Sequence, residues 1–223
     1  MNFDVRTLFL IAIPIGFAFS ILQAAHWLRW RDPASLWWAT TDGLGTAGAV
    51  LLLSNQWLPA WIARSLAQTA IFASGLLMWL GFRRFAGQPL PLRIFAVVSL
   101  VYFGAFEALR SVVNDLAPLI VLSSFGHGMQ HAGIALDLAR APQFDHRRLR
   151  AVLVTVFVLQ ALFYLFRSAT AVTVDSDAVF LNTTGLQSAT LLIAILGVVL
   201  WNVAALWMMN DRYRSRSAAA AKA

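Results

Sequence analysis

The chain contains no cysteine and one lysine, Lys222. The first absence removes disulfides, thiolate metal sites and cysteine nucleophiles. The second excludes a retinal Schiff base, which needs a lysine inside a helical bundle. Charge of either sign is scarce: 12% of the 223 residues are charged, against about 25% in a soluble domain. No Walker loop, HExxH or GxSxG occurs, and nothing resembles a nucleophile beside a base. The expectation is therefore not an enzyme. What remains is apolar. Sixty per cent of the residues are hydrophobic and the mean hydropathy is +0.70. That composition excludes a soluble, a disordered or a fibrous protein and makes the lipid bilayer the expected partner.

The net charge of +7 and the pI of 11.2 could suggest nucleic acid. The placement of the charges argues otherwise. All basic residues but Lys222 are Arg, and most sit in short loops between apolar runs. That is how membrane proteins set their orientation, so no nucleic-acid partner is expected.

A membrane helix needs about 20 mostly apolar residues. Seven runs qualify: Thr7–Trp30, Leu36–Ser54, Leu58–Phe82, Leu92–Val112, Pro118–Leu138, Leu149–Thr170 and Leu186–Met209. The second is the most polar, with Thr40, Thr41, Asp42 and several glycines. The first ends in Trp27–Leu28–Arg29–Trp30–Arg31 rather than in a small-residue cleavage site, so it reads as a span and not a signal peptide. The loops after spans one, three, five and seven hold 13 basic residues; the other side holds only Arg6, Arg64, Arg110 and Arg167. The positive excess puts the first set in the cytoplasm. The fold class expected is all-α: a polytopic membrane protein with seven transmembrane helices, N-terminus outside and C-terminus cytoplasmic. Residues 1–210 form the bundle and 211–223 a cytoplasmic helical tail or linker. The triplet Asn182–Thr183–Thr184 matches a glycosylation acceptor, a weak signal by itself. No internal repeat is evident, which weighs against a transporter of inverted halves.

Polar groups inside spans are costly and face the bundle interior. By depth they fall into two sets. The inner one holds His26, Asp42, His127 and His131. The last two lie at i, i+4 and share one helix face, a spacing that suits a transition metal or haem iron, with Asp42 as a further donor or a partner of the ligands. The alternative is that they hydrogen-bond neighbouring helices. The outer set holds Arg64, Gln68, Glu107, Arg110, Arg167 and Gln187. These residues could line a pocket for a polar or anionic ligand, or form a structural network in which Glu107 pairs with an Arg. Gln160 and Asn202 read as amide links between helices. Pro14 predicts a kink in span one.

Several stretches resemble the membrane input region of bacterial GGDEF-type diguanylate cyclases, the MASE-like seven-helix modules. They are Leu36–Trp37–Trp38–Ala39; the hairpin from Leu51–Leu52–Leu53 through Trp57–Leu58–Pro59–Ala60–Trp61; the exit Gly81–Phe82–Arg83–Arg84–Phe85–Ala86–Gly87; Tyr164–Leu165–Phe166–Arg167–Ser168–Ala169; and Trp201 through Asn210–Asp211–Arg212. The resemblance covers most of the chain. It implies a homodimeric sensor of the bacterial inner membrane that relays a ligand, cofactor or membrane signal through its last helix to a cytoplasmic signalling domain or protein of cyclic-di-GMP type. Such proteins continue into a cyclase domain, whereas this chain ends at Ala223, so an input module without a catalytic domain is expected. Two other readings stand beside it: a haem- or metal-binding redox protein using His26, His127 and His131, and a small transporter.

Overall fold

The computed structural model describes residues 5–113, 117–141, 147–171 and 185–220, with side chains of 185–187 and 215–220 left aside. The described residues are helical and contain no strand. The helices are α1 (Val5–Trp30), α2 (Pro33–Leu53), α3 (Ala67–Phe85), α4 (Leu92–Val112), α5 (Ala117–Arg140), α6 (Arg147–Thr170) and α7 (Gly185–Ala220). Each matches an apolar run read from the sequence to within a few residues, except that α3 begins well inside its run and α7 runs on past Met209. The expected segment Leu58–Phe82 is composite. A π-helical turn, Trp61–Leu66, leads into α3.

Local chemistry sets the turns. Asp32 caps α2: its Oδ1 accepts the Ala34 N–H at 2.9 Å, Pro33 takes the first helical position, and Arg31 before it is left-handed at φ 55°. Pro is suited to that position because its missing N–H has no helical partner there. At the end of α3, Gly87 adopts φ 68°. The Gln88 N–H reaches Arg83 O at 2.8 Å and the Gly87 N–H reaches Arg84 O at 3.2 Å. This is a Schellman stop, and a side chain at Gly87 would strain it.

Five segments are long and apolar enough to cross a membrane: Val5–Trp30, Trp61–Phe85, Leu92–Val112, Arg147–Thr170 and Ser188–Arg214. That is the character of a membrane protein. Helices α2 and α5 fall outside this set because they carry much of the interior polarity, including Thr41, Asp42, His127, Gln130 and His131.

Six helices close a ring in the order α1, α2, α3, α5, α6, α7 and back to α1, each packed on the next. Helix α4 stands outside it, against α3 and α5. Only Tyr102 and Phe106 of α4 are buried, with Tyr102 stacked on Phe72 at a centroid distance of 3.9 Å. Its outer face is apolar; Leu100 is 71% exposed.

The ends of the ring differ. One, the basic end, carries the α1–α2 and α3–α4 connections, the end of α5, the start of α6 and the α7 extension. Its core gathers Trp38, Phe82, Phe85, Phe157, Trp201, Met208 and Met209, with Trp38 edge-on to Phe82 at 5.3 Å. Arg83 donates to Asp137 at 2.6 Å, and Trp79 Nε1 donates to the same oxygen at 2.6 Å. At the far end Val5 and Phe9 pack with Ala49, Leu52 and Ala67.

Candidate functional site

The ring surrounds a partly open cavity of about 280 Å³. Its floor toward the basic end is Met78 and Trp201, and it rises past Ile71, Leu191 and Ile195 to Val5, Leu52 and Thr190. All six ring helices supply lining residues, and α4 supplies none. The walls are mostly apolar, with polar groups at chosen points.

Those points recur at helical spacing. On α5 they are Ser123, His127 and His131, at i, i+4 and i+8; on α6 they are Gln160, Tyr164 and Arg167, at i, i+4 and i+7. Each set is a polar stripe on one face of an otherwise apolar helix. The Tyr164 ring stands across from both imidazoles, 5.5 Å from His127 and 5.4 Å from His131.

The histidine tautomers follow from their partners. His131 Nδ1 lies 2.7 Å from the His127 carbonyl oxygen. A carbonyl only accepts, so Nδ1 carries the hydrogen and Nε2 keeps its lone pair. Gln130 Nε2 donates to Phe72 O at 2.8 Å. That orients the Gln130 Oε1 toward His127 Nδ1, at 3.2 Å. His127 Nδ1 therefore donates as well, and its Nε2 is also an acceptor.

Asp42 is the acidic group of the cavity lining, buried at 5% exposure. It lies nine residues into α2, about 13 Å along the axis. A directed amide chain ends on it: Gln23 Nε2 donates to Asn202 Oδ1 at 3.1 Å, and Asn202 Nδ2 donates to Asp42 Oδ1 at 3.1 Å. This chain joins α1, α7 and α2. The other carboxylate oxygen, Oδ2, has no hydrogen-bond partner among the described residues. Nor does Gln160 Oε1, whose amide nitrogen lies 3.5 Å from Ile193 O. Arg167, toward the far end, donates to Ser124 Oγ at 2.8 Å.

The structure regroups the residues singled out by sequence. Asp42, His127, His131, Gln68 and Arg167 line one cavity, so members of the inner and outer sets meet. His26 does not join them. It lies four residues from the end of α1 and pairs through Nδ1 with Ser35 Oγ at 2.9 Å, while His127 sits near the middle of α5. Among the described residues no three His, Cys, Asp or Glu side chains converge to hold a metal ion. The expected set of His26, Asp42, His127 and His131 is thus not assembled as one centre.

Arg64, Glu107 and Arg110 do not line the cavity. Glu107 on α4 accepts from Ser65 Oγ and from both Nε (2.8 Å) and a terminal nitrogen of Arg110. Arg64 Nε donates to Asn55 Oδ1 at 3.2 Å. This cluster ties α4 to the π-helical turn. It matches the structural alternative for Glu107, and the displacement of α4 from the ring explains why it misses the pocket. The side chain of Gln187 and the triplet Asn182–Thr183–Thr184 lie outside the described residues.

Sequence reasoning left out Tyr164 and Ser123, and took Gln160 and Asn202 as helix links only. The spacing of Gln160, Tyr164 and Arg167 was the available signal. No protein-family model, curated protein or solved structure matches the chain.

Proposed function

We propose that the chain is a seven-span membrane input module. It perceives a ligand in the central cavity and relays occupancy through α7 to a cytoplasmic output of cyclic-di-GMP type. In this reading α2 and α5 also cross the membrane. They are 21 and 24 residues long, or about 32 and 36 Å, and their polar faces turn into the ring rather than to lipid. The N-terminus lies outside and the C-terminus in the cytoplasm of a bacterial inner membrane, on the strength of the arginine distribution. The module works as a homodimer, as the resemblance to diguanylate cyclase input regions implies.

The observation that carries the reading is the double role of α7. Its Thr190, Leu191, Ala194, Ile195, Val198 and Trp201 form one wall of the cavity, and the same helix continues without interruption to Ala220. A change at the cavity wall is therefore a change in the position of a stiff rod that leaves the bundle. A ligand shifts such an element only if it binds its two positions with different affinity.

The test is a fusion of a diguanylate cyclase domain after Arg216, with one to four residues inserted at the junction. Each insertion turns the output by about 100°. A relay gives cyclase activity that follows helical phase. Activity that stays flat across the four insertions would show α7 to be only an anchor.

A further inference from the structure

The cavity has a chemical polarity that narrows its ligand. Three of its lining hydroxyls spend their hydrogens on their own helices: Thr41 donates to Trp37 O, Ser74 to Ile71 O and Ser123 to Ile120 O. The fixed tautomers of His127 and His131 present two lone pairs. Asp42 Oδ2 and Gln160 Oε1 add two acceptors without a partner among the described residues, on side chains more than nine-tenths buried. The lower cavity therefore gathers several acceptors around Asp42, beside the lining hydroxyls of Thr46 and Tyr164. Buried acceptors without donors are costly unless something completes them.

Arg167 lines the cavity but does not complete Asp42. Their positions on α6 and α2 differ by about 16 Å along the bundle axis, and Arg167 is turned to Ser124. Among the described residues no cation lies within ion-pair distance of Asp42. A single metal ion would not complete these acceptors either. No three acidic or imidazole groups converge, and the 280 Å³ cavity has room for on the order of ten waters or more. Dispersed acceptors around a largely apolar space suit an organic molecule with several donors on one end and an apolar body.

We propose that the cavity binds an organic cation: a protonated amine whose ammonium group pairs with Asp42 and donates to the acceptors around it, with its apolar body against Ile71, Leu191 and Ile195. A carboxylate buried in a span is stabilised by such a partner. Trp201 and Tyr164 border the same space, and aromatic rings beside a cation attract it. The amide chain through Asn202 holds Oδ1 and leaves Oδ2 as the oxygen for the ligand.

This inference rests on the ligand-sensing reading of the cavity, and its test uses no signalling output. The purified full chain in detergent is titrated calorimetrically with phenethylamine, hexylamine and benzyltrimethylammonium, against 2-phenylethanol and 3-phenylpropionate as neutral and anionic analogues. At least one amine should bind with a Kd of about 1 mM or tighter while both analogues fail. Asp42→Asn keeps an acceptor for Asn202 and should weaken binding by about thirtyfold or more, the lower end for removing one partner of a buried charge pair. Gln160→Met leaves Asp42 and its amide chain intact and should weaken the amine by a few-fold, so the proposal stays testable if the Asp42 variant fails to fold. No amine binding at that level, equal binding of an analogue, or amine binding unchanged in both variants would overturn it. So would stoichiometric binding of Cu²⁺, Ni²⁺ or Zn²⁺ that is lost in His127→Ala and His131→Ala. Amine binding together with a flat insertion series would retain the site and remove the relay. A phase-dependent series without amine binding would do the reverse.

Discussion

Asn202→Ala should be among the most damaging single substitutions outside the aromatic core. Asn202 and Gln23 are fully buried, and Asn202 makes two bonds between helices: it accepts from Gln23 on α1 and donates to Asp42 on α2, each at 3.1 Å. Interhelical hydrogen bonds in membranes average about 0.6 kcal/mol and reach about 1.7. Removing the amide loses two of them, which sets a floor of about 1 kcal/mol. It also leaves the Gln23 amide and Asp42 Oδ1 unpaired, and a stranded buried polar group costs about 1–3 kcal/mol. These costs overlap, and a chain unfolded within the micelle finds other partners. The expected loss is therefore about 2–3 kcal/mol. Gln23→Ala breaks one bond and should lose about 1 kcal/mol. Reversible unfolding in mixed micelles, followed by far-UV circular dichroism across an SDS titration, measures both. The double variant closes a cycle whose coupling should be about 0.6–1.7 kcal/mol. A loss under about 0.5 kcal/mol for Asn202→Ala, or a coupling of zero, would refute the amide chain as a tie between α1, α7 and α2.

Two further outcomes follow from close packing and from the charge distribution. A Cβ added at Gly48 would stand 2.9 Å from the Ala67 carbonyl oxygen and 3.2 Å from the Ile71 nitrogen, both backbone, whereas at Gly104 nothing lies within 4 Å. Gly48→Ala should therefore push α2 from α3 and lose about 1–3 kcal/mol in the same unfolding assay, while Gly104→Ala should be neutral or stabilising by a few tenths. Topology reporters should give a cytoplasmic signal when fused after Ala86 and an external one when placed between Val174 and Asn182; a cytoplasmic signal from the second position would break the seven-span arrangement.

The positions of elements along the chain were legible, and their positions around the bundle were not. Helix α4 shows the difference. Its bounds, Leu92–Val112, are those expected from hydropathy, but nothing in one helix reveals that α3 and α5 touch each other and push it aside. Glu107 and Arg110 therefore looked like pocket residues by depth; instead Glu107 ties α4 to Ser65, and Arg110 pairs with it on the same helix. Depth alone did not sort the ring helices either: Asp42 and His131 of the inner set share the cavity with Gln68 and Arg167 of the outer one. It failed for His26, whose partner Ser35 sits just past the α1–α2 turn, a short-range contact that outweighs any shared depth. The stripe Gln160–Tyr164–Arg167 was readable in spacing alone, but its middle residue is aromatic. In a chain with 16 Phe and 9 Trp, one tyrosine carries no weight until its neighbours are known.

In the proposed reading, the relay and the site meet at one side chain. Asp42 shares its carboxylate between α7, through Asn202 on Oδ1, and the cavity, through Oδ2, which has no partner among the described residues. Farther along, α7 is held at the basic end by contacts of another kind. The Arg212 guanidinium lies 3.6 Å over the Phe85 ring and donates to the Phe85 carbonyl at 2.7 Å. It stands 3.9 Å from Asp32, and Tyr213 packs against Trp30 with the rings tilted and their centroids 3.5 Å apart. The Arg212 side chain is 31% exposed, and an exposed ion pair contributes no more than about 1 kcal/mol. If α7 moves as proposed, these partly exposed rim contacts can exchange partners with water, whereas Asn202 is fully buried. Asn202 is therefore the natural pivot. The proposed cation, by drawing charge on Asp42 toward Oδ2, would weaken the bond that Oδ1 accepts, at the pivot itself. Allosteric coupling free energies are typically about 1–3 kcal/mol, the scale of one or two buried hydrogen bonds. A loosened or re-formed bond to Asn202 is thus sufficient in magnitude, without any larger rearrangement of the ring.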